Sequence, residues 1–132
     1  MGNTIDWPAL LTLATLLLLF GCASYVGWAR GKYRVPAPST TGPEGFERAF
    51  RVQMNTLENA AIFLPVLWLA TLYANPAWAA ALGAVWLAAR VWYAVAYARD
   101  PKTRGAAFVI AYAAWGALMF LAAWGVLGSL LR

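Results

Sequence analysis

Residues 7–28 read WPALLTLATLLLLFGCASYVGW, twenty-two residues with no charge and a tryptophan at either end. A helix rising 1.5 Å per residue needs roughly 20 apolar residues to cross a hydrocarbon core of about 30 Å, and tryptophan favours both membrane interfaces. This stretch therefore predicts a transmembrane helix. A cleaved signal would need a basic start, whereas Met1 to Asp6 holds an acid and no Lys or Arg. The span is read as retained, with Cys22 as a small apolar filler.

The whole chain agrees with that reading. Of 132 residues, 63% are hydrophobic and 11% charged, against about 25% charged in soluble domains, and mean hydropathy is +0.62. A water-soluble globule, a disordered chain and a disulfide scaffold are all excluded, the last because there is a single cysteine. Zinc and Cys-His chemistry need clusters of those side chains; with no histidine, no metal is expected. The net charge of +5 lies in two connecting loops, which suits lipid headgroups and an anionic substrate rather than nucleic acid.

Working outward, Arg30 to Gly42 is a polar stretch broken by Pro36 and Pro38, with Pro43 following. Thr41-Gly42-Pro43-Glu44 reads as a helix start, with Glu44 and Glu47 at the positive end of the dipole. A helix from Pro43 to Ala74 would be about 48 Å long, so its first turns should project from the membrane and its span begin near Asn55, with Pro65 a candidate kink. Asn75-Pro76 is a tight hairpin. Asp100-Pro101 ends the third span and caps the last helix, where Ala111, Ala113, Ala114, Gly116 and Ala117 permit close helix contact. The expectation is one all-α domain over residues 1–132, an integral membrane four-helix bundle with spans near 7–28, 56–74, 77–97 and 105–131.

Orientation follows from the basic residues. Arg30, Lys32, Arg34, Arg48 and Arg51 mark the first connection, and Arg99, Lys102 and Arg104 the third; the second has none. The positive-inside rule puts both basic loops in the cytoplasm and both termini outside. Composition leans toward a bacterial inner membrane.

Two constellations carry chemistry. Arg51, Asn55 and Glu58 are spaced by four and three on one helical face, with Arg48 extending the stripe. Cation, amide and carboxylate together suit a zwitterionic, peptide-like ligand. Glu58 is the acid placed within the apolar region, where ionisable groups mark function; a structural ion pair with Arg90 is the other reading. On the third helix Tyr93 and Tyr97 lie one turn apart with Arg90 on their face, either site residues or an aromatic belt. Arg104 sits in the first turn of the last helix, where the dipole disfavours a cation. A guanidinium and a helix N-terminus aimed at one point stabilise an anion such as a thiolate; a lipid-phosphate anchor is the plainer alternative.

Phe46-Glu47-Arg48-Ala49-Phe50-Arg51-Val52-Gln53-Met54-Asn55-Thr56-Leu57-Glu58-Asn59 resembles the signature of the MAPEG family, the membrane-associated proteins of eicosanoid and glutathione metabolism. Arg90-Val91-Trp92-Tyr93 and Tyr97 through Arg104 are similar to its second block, and Arg34-Val35-Pro36 with Thr40-Thr41-Gly42-Pro43 to the loop of its leukotriene-C-synthase-like branch. The resemblance covers nearly the whole chain. It implies a homotrimer of four-helix subunits that binds glutathione as co-substrate at subunit interfaces on the cytosolic side. By the same resemblance Arg104 activates the thiol, Arg51, Asn55, Glu58, Tyr93 and Tyr97 hold the tripeptide, and Arg30 and Gln53 come from a neighbouring subunit. The pattern departs at Asn59, where synthase-like members carry Tyr, and at Gly31, where a second Arg is expected, so the lipid-side residues differ.

The implied activity is a membrane glutathione transferase, with peroxidase activity as a second reaction, acting on a hydrophobic electrophile or lipid that the bilayer delivers. A non-catalytic member presenting lipid or glutathione is the alternative, which Arg51, Asn55, Glu58 and Arg104 argue against. A small multidrug-type transporter fits less well, because such proteins carry an acid in the middle of the first span and Trp7 to Trp28 has none.

Overall fold

The computed structural model describes residues 3–132; Met1 and Gly2, part of the N-terminal reading above, lie outside the described residues. The chain is all-helical: α1 (Asp6–Tyr33), α2 (Glu44–Tyr73), α3 (Pro76–Arg99), a 3-10 turn (Pro101–Thr103) and α4 (Gly105–Leu130). All four long helices are long and apolar enough to cross a membrane.

Local chemistry sets the ends. α1 runs past Trp28 and stops at Arg34, whose φ of 55° is left-handed, with Pro36 and Pro38 beyond it barring resumption. α2 starts directly after Pro43, with Glu44 and Glu47 in its first turn, the charge sign that suits a helix N-terminus. At about 45 Å it is longer than the hydrocarbon core. Asn75 caps α3, its side-chain oxygen accepting from the Ala77 and Trp78 N–H groups at 2.9 and 3.1 Å. Pro65 lies inside a continuous α2. In the turn that its ring crowds, the Trp115 indole donates to the Ile62 carbonyl at 2.9 Å.

The main core joins α2, α3 and α4 around Phe63, Leu67, Trp86 and Leu118, with Ala60, Ala79, Ala111, Ala114 and Ala122 as spacers. Phe63 and Trp86 stack with centroids 3.7 Å apart and planes 3° from parallel. Small residues bring the backbones close, as membrane helix packing requires. At Gly125 a methyl group would strike the Tyr73 carbonyl. α1 is tied to α2 by the Trp68 indole, which donates to Thr12 Oγ1 at 3.0 Å. Leu13, Leu17, Phe20, Phe120 and Trp124 face outward, as expected where the solvent is lipid.

Two smaller clusters shape the end of the bundle that bears the basic loops. Cys22, Val52, Tyr93, Tyr97 and Ala107 form one. Val26, Ala29, Val35, Phe46 and Ala49 form the other and pin the α1–α2 connection onto α2.

Candidate functional site

A cleft of about 520 Å³ opens where the first turns of α2 meet the end of α3 and the 3-10 turn. Gly42, Glu44, Glu47, Arg48, Arg51, Tyr97, Pro101 and Arg104 line it. Three guanidinium groups, two carboxylates and a phenol thus share one opening, beside the N-terminus of α4.

Arg104 owes its place to the segment before it. The Asp100 side chain accepts from the Lys102 N–H at 3.1 Å, Pro101 follows, and Thr103 Oγ1 donates back to the Asp100 carbonyl at 2.8 Å. Asp100 therefore caps the short 3-10 turn rather than the last helix, and Arg104 becomes the N-cap of α4 instead of a first-turn residue. Its Nη1 donates to the Pro101 carbonyl at 2.6 Å, and its guanidinium lies over the Tyr97 ring at 5.0 Å. No side chain caps α4, so its leading N–H groups stay free to meet an anion.

Arg51 stands on the exposed face of α2, 3.8 Å from Glu47, and lines the cleft together with Tyr97. Arg48 pairs with Glu44. Beyond suiting the helix dipole, Glu44 and Glu47 line the cleft and pair with its cations. Tyr93 and Tyr97 are buried in the bundle, their rings 5.7 Å apart, which is not the placement of a lipid-facing belt. Asn55 lies half-buried one turn beyond Arg51.

The rest of the expected set lies elsewhere on this single chain. Glu58 is exposed on α2 and makes no ion pair among the described residues; Arg90 is fully buried and donates instead to Asn55 Oδ1 at 2.7 Å and Thr56 Oγ1 at 3.1 Å. Gln53 is half-buried on α2 outside the cleft. Arg30 clamps its own loop, donating to the Ser39 carbonyl at 2.8 Å with its guanidinium 5.0 Å over Phe46. One chain therefore brings together Arg51, Tyr97 and Arg104 with Asn55 and Tyr93 close by, and leaves Arg30, Gln53 and Glu58 apart. Among the described residues no cluster of metal-ligating side chains occurs.

Comparison with known proteins bears on this arrangement. The sequence profile of the MAPEG family matches residues 8–124. An uncharacterised protein of Synechocystis is 49% identical over 104 residues, covering 79% of this chain and 76% of the relative. Microsomal glutathione S-transferase 2 of Bos taurus is 39% identical over 135 residues, 98% of this chain and 88% of the relative. Leukotriene C4 synthase of Bos taurus is 39% identical over 131 residues, 99% and 87% respectively.

Proposed function

The chain belongs to the MAPEG family, and on that premise we propose that this integral membrane protein is a glutathione transferase joining the glutathione thiolate to a hydrophobic electrophile. Reduction of lipid hydroperoxides is a second reaction open to the same thiolate. The observation that carries the reading is the convergence of Arg51, Tyr97 and Arg104 on one cleft beside an uncapped helix N-terminus.

Glutathione brings two carboxylates, an ammonium and a thiol. Guanidinium groups pair with the carboxylates, and the carboxylates of the site accept from the ammonium. Arg104 acts at the sulfur: a thiol ordinarily titrates near 8.5, and a neighbouring cation with free helix N–H groups favours its thiolate. The thiolate attacks the electrophilic carbon, sulfur–carbon bond formation expels the leaving group, and the fixed cation stabilises charge at the reacting atom. The bilayer supplies the apolar partner, so that both reactants are held together.

Glu58, Gln53 and Arg30 stand outside the cleft of one chain, and Glu58 is exposed on a helix long and apolar enough to cross a membrane. An acid so placed is costly in lipid, which supports assembly into a homotrimer. In it Arg30 and Gln53 of one subunit complete the tripeptide site formed by Arg51, Asn55, Glu58, Tyr93, Tyr97 and Arg104 of the next. The basic loops face the cytoplasm, both termini face outward, and the membrane is a bacterial inner membrane.

The test uses purified protein in detergent. Glutathione should raise its thermal midpoint, since a ligand bound only by the folded state stabilises it, and glutathione-dependent conjugation of 1-chloro-2,4-dinitrobenzene should be measurable. Arg104→Ala should keep the first effect and lose most of the second at neutral pH. Failure of the wild type to respond to glutathione would remove the reading.

A further inference from the structure

Arg90 is fully buried and makes no ion pair among the described residues. Its Nη2 donates to Asn55 Oδ1 and Thr56 Oγ1, its guanidinium lies 4.2 Å over the Tyr93 ring, and its Nε and Nη1 have no hydrogen-bond partner among the described residues. Burying a charge with donors unsatisfied works against stability, and an apolar residue of similar volume generally packs better. The arrangement has a different consequence, which lies in the orientation of an amide.

A guanidinium donates hydrogen bonds and accepts none. Asn55 can therefore turn only its oxygen toward α3. Asn59, one turn along α2, adds a second donor, its Nδ2 lying 3.3 Å from the same Oδ1 and 2.8 Å from the Asn55 backbone carbonyl. With Oδ1 engaged from both sides, the remaining half of the amide is an NH₂ group, for which no acceptor occurs among the described residues. Asn55 is half-buried rather than sealed, one turn from Arg51 in the cleft.

We propose that Arg90 is a positioning residue that, with Asn59, locks the Asn55 amide with its oxygen inward, so that the bound tripeptide meets only an N–H donor. The assignment rests on the glutathione reading above and deepens it. The ligand group received there is an acceptor, a carboxylate or peptide carbonyl oxygen, and the site rejects a donor at that point. Asn59 thereby has a use of its own in this chain, as the second clamp on the amide.

The experiment measures glutathione affinity by calorimetry, steady-state conjugation and thermal midpoint on the full chain. Arg90→Met should leave the midpoint equal or higher, raise Kd and KM for glutathione about tenfold and change kcat at saturating glutathione by less than about threefold, as loss of a ground-state hydrogen bond to a charged group does. Arg90→Lys, which keeps a donor, should recover part of the affinity. Asn55→Asp keeps an oxygen for Arg90 but turns the outward group into an acceptor; it should keep the midpoint and weaken glutathione binding by about thirtyfold or more. Wild-type affinity in Arg90→Met or in Asn55→Asp overturns the proposal, as does a fall in midpoint with equal losses in kcat and affinity. If Arg90→Met does not fold, Asn55→Asp decides. A wild type that takes up no glutathione sinks the functional reading itself, whereas binding indifferent to both substitutions sinks only the positioning role.

Discussion

Replacing Arg104 with alanine should alter how the reaction depends on pH, not only how fast it runs. Two unit charges 4 Å apart interact by about 4 kcal/mol at an effective dielectric constant near 20. Arg104 is exposed at the rim of the cleft, so solvent screening reduces that figure, and about 2 kcal/mol is left where the guanidinium donates a hydrogen bond to the thiolate. At 1.36 kcal/mol per pH unit, the bound thiol would titrate near 7 instead of about 8.5. At pH 6.5 the thiolate fraction is then about one quarter with Arg104 and about one hundredth without it, whereas at pH 9.5 both are nearly complete. A less basic thiolate is also a weaker nucleophile, but that factor is the same at every pH. The ratio of wild-type to Arg104→Ala rates should therefore fall about twentyfold between pH 6.5 and 9.5. The assay is conjugation of 1-chloro-2,4-dinitrobenzene at saturating glutathione, corrected for the uncatalysed rate. A ratio that stays flat across that range would refute thiolate stabilisation by Arg104, even if the variant were slow.

Other consequences follow from packing and placement. Gly125→Ala drives a methyl group into the Tyr73 carbonyl and should cost about 1–3 kcal/mol as overpacking does, read as a lower thermal midpoint; an unchanged midpoint would show that α2 and α4 separate freely. Arg30→Met removes the donor to the Ser39 carbonyl and the stack on Phe46, so the 34–43 connection should be cut faster by protease; unaltered cleavage would deny the clamp. Glu58→Gln leaves the single-chain fold intact, because the side chain is exposed there, and should weaken glutathione binding about tenfold or more by loss of a charge-assisted hydrogen bond. Unchanged affinity would place Glu58 outside the site.

Much of the fold was legible because the bilayer makes demands that composition records directly. The uncharged run from Trp7 to Trp28 and the Asn75-Pro76 break announce themselves, and the structure adds that Asn75 caps α3 at that break. The last helix was harder. Asp100-Pro101 signals a start, but the turn it begins lasts three residues, and α4 restarts at Gly105. A start signal does not specify whether a 3-10 turn intervenes, and that difference moves Arg104 from inside the helix to its cap.

Along α2 the spacing of four and three is legible and fixes Arg51, Asn55 and Glu58 relative to one another. On one chain, however, only Arg51 of the three lines the cleft; Asn55 lies one turn beyond it and Glu58 is exposed outside it. Contacts between helices were not legible. Glu58 and Arg90 suit an ion pair by charge, yet the rotation of α3 against α2 gives Arg90 to Asn55 and Thr56 and leaves Glu58 outward. Such rotation depends on how Phe63, Trp86 and their alanine neighbours interlock, which one strand of sequence does not encode visibly. The cleft-lining role of Glu44 and Glu47 is not legible in the sequence, because it depends on the 3-10 turn folding down beside them.

If Arg104 acts at the sulfur, this end of the cleft holds glutathione as its thiolate. Absorbance near 239 nm, about where a thiolate absorbs above its thiol, reports this without any electrophile. Mixing purified protein with glutathione near pH 7 should produce a saturable absorbance rise with proton release, lost in Arg104→Ala. Binding of glutathione with no thiolate signal in the wild type, or an equal signal in the variant, would contradict it.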